Sequence, residues 1–181
     1  MKVTAFLAAA GKLETLPEQS PSFKLVKDAP VLKAFIDSER GESSDPVTIF
    51  ETEVEIKNLW VNLRKGNYIK LQQVEDLMGR DFAIRFAVRN EHQIQKTEQY
   101  KKVRELNPGI TMRGYLRHTV PVLPDVYLQP ETVFANKEIV AKLVKEGYDG
   151  ASTLGLGAFE ATPQYFAFSA EQLKVRRTQT V

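Results

Sequence analysis

The 181-residue chain contains no cysteine, which removes disulfides, thiolate metal sites and cysteine nucleophiles together, and leaves a reducing compartment open without requiring one. It has only two histidines, His92 and His118, too far apart for the i, i+4 spacing of a helical zinc pair. No apolar run approaches the roughly 18 residues that a membrane-spanning helix needs, so no membrane span is expected. Nor is there a large excess of charge. Twenty-five basic residues stand against 23 acidic ones, a net +2 that does not draw a phosphate-rich partner by bulk electrostatics. Any basic surface has to be local.

What is present suits a folded domain. A hydrophobic fraction of 43% and a charged fraction of 27% differ from the composition of disordered chains, and the length suits one domain. The start, MKVTAFLAAAG, imitates a signal peptide, but its apolar run is at the short limit for one. A buried first strand or helix is the expectation.

Pro17 and Pro21 mark a loop, and Asp28 with Pro30 opens a helix whose stripe is Val31, Leu32, Phe35 and Ile36. After the polar turn RGESSDP, the apolar residues from Val47 to Leu63 suggest one or two strands, and Gly66-Asn67 a turn. Leu71, Val74, Leu77 and Met78 fall at helical spacing before Gly79. Phe82, Ile84, Phe86 and Val88 alternate with Ala83, Arg85, Ala87 and Arg89, which predicts a central strand. A charged helix is expected from Glu91 to Leu106, a strand from Ile110 towards Val122, and another over Val126 to Leu128. Asn136 should cap a helix ending before Gly147. Ala151–Leu154 and Gln164–Phe168 should pair around the loop GLGAFEATP, and Ser169 with Gln172 has capping-box spacing. Strands and helices do not alternate regularly, so the expectation is one α+β domain over residues 1–181 with a mixed or antiparallel sheet and three to five helices. Residues 1–45 would be an extension packed on that core.

No nucleophile elbow or phosphate loop occurs, and Gly155-Leu156-Gly157 lacks the third glycine of a dinucleotide cradle. Glu53 and Glu55 share one strand face and read as a solvated surface. The best basic segment is QKTEQYKKVREL, where Lys96, Lys101, Lys102 and Arg104, joined by Arg113, Arg117 and Arg176-Arg177, could meet nucleic-acid phosphates. Tyr100 and Tyr115 would add base stacking.

A more specific stretch is VYLQPETVFANKEIVAKLVKEGYDGAST followed by EATPQYFAFSAEQLK. It resembles the C-terminal half of ADP-ribosyltransferase-like domains of phage and mobile-element polyvalent proteins. Gly147, Tyr148, Asp149 and Gly150 match the turn after the family's helix, and Phe168, Gln172, Leu173 and Lys174 match its ending. Arg113-Gly114-Tyr115 resembles the family's early triplet, at a spacing too close to Val126 for the intervening elements. The resemblance implies split sheets with NAD between them and catalysis by Glu160, or by Asp149 as second choice. It also implies that Tyr148 or Tyr165 lines the cofactor pocket. A chain that kept this fold without the chemistry would be a virion component or an interaction module with a protein partner, located in a host cytoplasm or a virion. An active transferase and a nucleic-acid-binding module are the alternatives.

Overall fold

A computed structural model describes residues 2–10, 13–16, 22–26, 36, 46–62, 68–94, 98–118, 126–154 and 163–181. The α+β class is as expected: a seven-stranded mixed sheet, a two-stranded ribbon and several helices. The chain divides into two units, residues 1–67 with 143–181 and residues 68–142. No described helix is long and apolar enough to cross a membrane.

The first unit is the sheet. Its strands are β1 (Lys2–Ala10), β2 (Phe23–Val26), β3 (Val47–Glu55), β4 (Leu59–Val61), β7 (Gly150–Leu154), β8 (Pro163–Ala167) and β9 (Leu173–Thr180), in the order β4-β7-β8-β2-β1-β3-β9. All neighbours are antiparallel except β4 and β7. The apolar start of the chain is therefore a strand. Period-two alternation gives the sheet one apolar face, on which Ala5, Leu7, Phe23, Leu25, Phe50, Val54, Ala167 and Leu173 join Ile56 in a single cluster. On the opposite face Ala8, Val26 and Val47 form a smaller cluster against Ile36, the described residue of the helix expected after Asp28. The rest of that helix, the turns at 41–45 and 66–67, and the loop 155–162 lie outside the described residues.

Chain length shows that this sheet is curled. Strands β3 and β4 stand five spacings apart, about 24 Å if the sheet were flat. Yet Glu55 and Leu59 are four residues apart, and a chain that short reaches about 14 Å at most. The sheet must bend around its apolar face, bringing the end of β3 to the start of β4.

At the other margin, β9 pairs with β3 through a bulge. Val175 opposes Thr52 and Arg177 opposes Glu51, leaving Arg176 as the extra residue, paired with the Glu53 carboxylate at 3.1 Å. No described strand takes the outer edge of β9. Its Lys174, Arg176 and Arg177 and its bulge are devices that discourage edge-to-edge pairing.

The second unit is mainly helical. Its ribbon joins β5 (Ile69–Lys70) to β6 (Tyr127–Leu128). The helices are α1 (Leu71–Met78), α2 (Arg80–Arg89), α3 (Glu91–Ile94), α4 (Glu98–Leu106), α5 (Met112–His118) and α6 (Pro130–Phe134). Helix α7 (Lys137–Lys145) leads the chain back to the first unit.

Two expected strands are helices. The segment Phe82–Val88 lies in α2 because its alanines serve the core as well as its large residues do. Ala83, Ile84, Phe86 and Ala87 are buried at helical spacing, while Arg85 and Arg89 share an exposed row. Phe82 stacks on Phe86 one turn away, with ring centroids 6.0 Å apart. Asp81 in the first turn and Arg89 in the last suit the helix dipole. The strand expected from Ile110 is α5 over Met112–His118. The Thr111 hydroxyl accepts the Gly114 N–H at 3.1 Å as an N-cap, and Met112, Tyr115 and Leu116 are buried at i, i+3, i+4.

The two glycines near the end of α7 serve different purposes. Gly147 has φ of 93°, and with it the Tyr148 N–H reaches the Leu143 carbonyl and its own N–H that of Val144, which closes the helix as a Schellman turn. A Cβ on Gly150 would stand 2.8 Å from the Phe166 carbonyl oxygen and 2.9 Å from Ile56 Cδ1. That close approach lets β7 sit against the residue where the chain leaves β3. Gly150→Ala should cost about 1–3 kcal/mol through overpacking. Gly109→Ala, whose Cβ would meet nothing within 4 Å, should change stability little. Urea unfolding of both variants checks this, and equal effects would remove the close-approach argument.

Candidate functional site

The curl of the sheet brings β3, the end of α7, and the link from β8 to β9 to one corner of the first unit. An open cleft of about 380 Å³ lies there, with Glu55, Lys57, Asp149, Ser169, Glu171 and Gln172 on its walls. Val144 and Phe168 supply its apolar part.

Two of these polar groups, Asp149 and Gln172, are spent on the backbone. Asp149 Oδ2 accepts the Lys57 N–H at 2.9 Å and Oδ1 accepts the Asn58 N–H at 2.8 Å. Asn58 answers by donating its side-chain amide to the Gly147 carbonyl at 2.8 Å, and its own carbonyl accepts the Asp149 N–H at 3.0 Å. Gln172 Oε1 accepts both the Phe168 N–H at 3.0 Å and the Ser169 N–H at 2.9 Å, while its Nε2 donates to the Glu55 carbonyl at 3.3 Å. The expected capping box is present, with the Ser169 hydroxyl accepting the Glu171 N–H at 3.2 Å. Asp149 thus ties the start of β7 to the entry of its neighbour β4, and Gln172 ties the turn between β8 and β9 to the end of β3, at the corner where residues 55–59 close the curl. The cleft is the hollow left between those fastenings.

The resemblance placed four residues at a cofactor site. Asp149 lines the cleft in the fastening role just described, whereas Glu160 lies outside the described residues. Tyr148 is half-buried beside Gly147, and Tyr165 is half-buried on β8, packed against the apolar cluster. Neither tyrosine lines the cleft. Glu53 and Glu55 sit on a solvated face as read from the sequence. Glu53 pairs with Arg176, and Glu55 pairs with Lys2 at 3.2 Å. Among the described residues no cluster of acidic or histidine side chains is arranged to hold a metal. The links from Gln172 to Glu55 and from Asp149 to Lys57 and Asn58 were not anticipated. They span 117, 92 and 91 residues, and no local pattern announces them.

The basic segment divides differently. Lys96 lies outside the described residues, Lys101 is held by Glu98 at 2.7 Å, and Lys102 and Arg104 are exposed on α4. The Lys101 ammonium holds the Glu98 carboxyl below its usual range. Tyr100 and Tyr115 are not free to stack on bases. Both are buried, in edge-to-face contact with centroids 5.1 Å apart, and burial pushes the Tyr100 phenol upward. Arg113 and Arg117 are exposed on α5, and Arg177 on β9.

Comparisons of the chain with protein-family models, with curated proteins and with solved structures gave no match in any of the three.

Removing the Asp149 carboxylate leaves two backbone N–H groups without their acceptors, as in the loss of a helix N-cap. Asp149→Ala should therefore cost about 1–2 kcal/mol in urea unfolding, and Asp149→Asn, which keeps one acceptor oxygen, visibly less. Equal stability of Asp149→Ala and the parent protein would contradict the fastening role.

Proposed function

We propose that the chain is a non-catalytic interaction module, with the curled sheet as its scaffold. The observation that carries this reading is the use of Asp149 and Gln172. Asp149 and Gln172, a carboxylate and an amide on the cleft walls, hold backbone N–H groups, whereas a reacting group needs a face free for substrate. The open form of the cleft points the same way, because small-molecule sites enclose most of their ligand.

The competing transferase reading rests on Glu160 and NAD, and one experiment separates the two. Under the module reading, millimolar NAD leaves the melting temperature unchanged and no nicotinamide is released. A cofactor at 100 times its dissociation constant would stabilise the fold by about 2.7 kcal/mol, a shift of several degrees. Such a shift, together with NAD hydrolysis that Glu160→Gln abolishes, would overturn the proposal.

A further inference from the structure

The basic charge of this chain is concentrated in one stretch of helices. Between Arg80 and His118 there are nine Lys and Arg residues against four Asp and Glu, a surplus of five where the whole chain carries +2. The remaining residues are therefore net acidic. Within that stretch Arg85 and Arg89 form one exposed i, i+4 row on α2, and Arg113 and Arg117 form another on α5, which packs against α2. Lys102 is exposed on α4. None of these five makes a salt bridge among the described residues, in contrast to Arg80, Lys101 and Arg176, which do.

We infer that the helices of the second unit form a binding surface for the phosphate backbone of a nucleic-acid duplex, with Arg85, Arg89, Arg113, Arg117 and Lys102 as its contacts. Four of the five are arginines, whose planar guanidinium presents paired donors to phosphate oxygens. Two residues one turn apart hold their side chains about 5–6 Å from each other, comparable to the step between neighbouring phosphates on a strand. The burial of Tyr100 against Tyr115 takes those two rings away from bases, so the contacts favour the backbone over base stacking. This inference stands on the charges of the second unit and does not depend on whether the sheet unit is catalytic.

Fluorescence anisotropy with a labelled 20-base-pair DNA duplex tests it. Five phosphate contacts should give a log–log salt slope of about −4.5, so affinity should fall roughly several hundredfold between 50 and 200 mM. The pair Arg113→Glu and Arg117→Glu should weaken binding about tenfold or more at 50 mM salt. The pair Lys145→Glu and Lys174→Glu, which lies outside the stretch, should weaken it no more than about threefold. Circular dichroism verifies that the variants fold, and Arg113→Gln with Arg117→Gln gives a milder version of the same comparison. Absence of binding at 50 mM salt, equal loss in the two charge-reversed proteins, or equally tight binding of polyglutamate in place of DNA would each overturn the inference.

Discussion

A sheet whose ends must meet is the constraint on which the first unit depends. Four residue steps from Glu55 to Leu59 cannot cross five flat strand spacings, so the chain has no choice but to curl the sheet around Phe50, Leu25, Leu7 and their neighbours. Curling supplies the apolar burial. It also strands backbone groups at the corner where β3 ends, β4 starts and the link to β9 passes. Gln172 accepts the N–H groups of half-buried Phe168 and Ser169 after β8, and Asp149 accepts those of the exposed Lys57 and Asn58 after the end of α7. The absence of a Cβ at Gly150 lets Ile56 and the Phe166 carbonyl close in behind them.

The same economy shapes the functional reading. A carboxylate that accepts two backbone N–H groups is held in one place for a structural reason, and the cleft beside it follows from the closure of the sheet. The second unit has the opposite character. Tyr100 and Tyr115 are buried against each other and Phe86 is buried beside Phe82, while Arg85, Arg89, Arg113 and Arg117 are left outward without ion pairs among the described residues. Interior chemistry holds this unit together, and its exposed arginines are the contacts of the proposed binding surface.

Features encoded by neighbouring residues were legible before the structure. Asn136 caps α7 through the N–H groups of Glu138 and Ile139, Gly147 ends it with positive φ, and Ser169 with Gln172 builds the turn before β9. The strands over 47–61 and the pair β7 with β8 were also readable, because alternation and turn signals are local. Helix α2 was not, since alternating Phe and Ile with Ala leaves both a period of two and a period of 3.6 apolar. Alanine fits either face, and tertiary burial decided. Little of the candidate site could be read. Asp149 stood out only through a turn motif, and its partners at Lys57 and Asn58 become neighbours only once the sheet has curled.

A double-mutant cycle between Asp149→Ala and Gln172→Ala, measured by urea unfolding, tests the fastening of the curled sheet most directly. Two fastenings of one corner share the backbone between Glu55 and Asn58, so the losses should be non-additive by about 0.5 kcal/mol or more. Strict additivity, with each loss within experimental error of zero, would contradict the account.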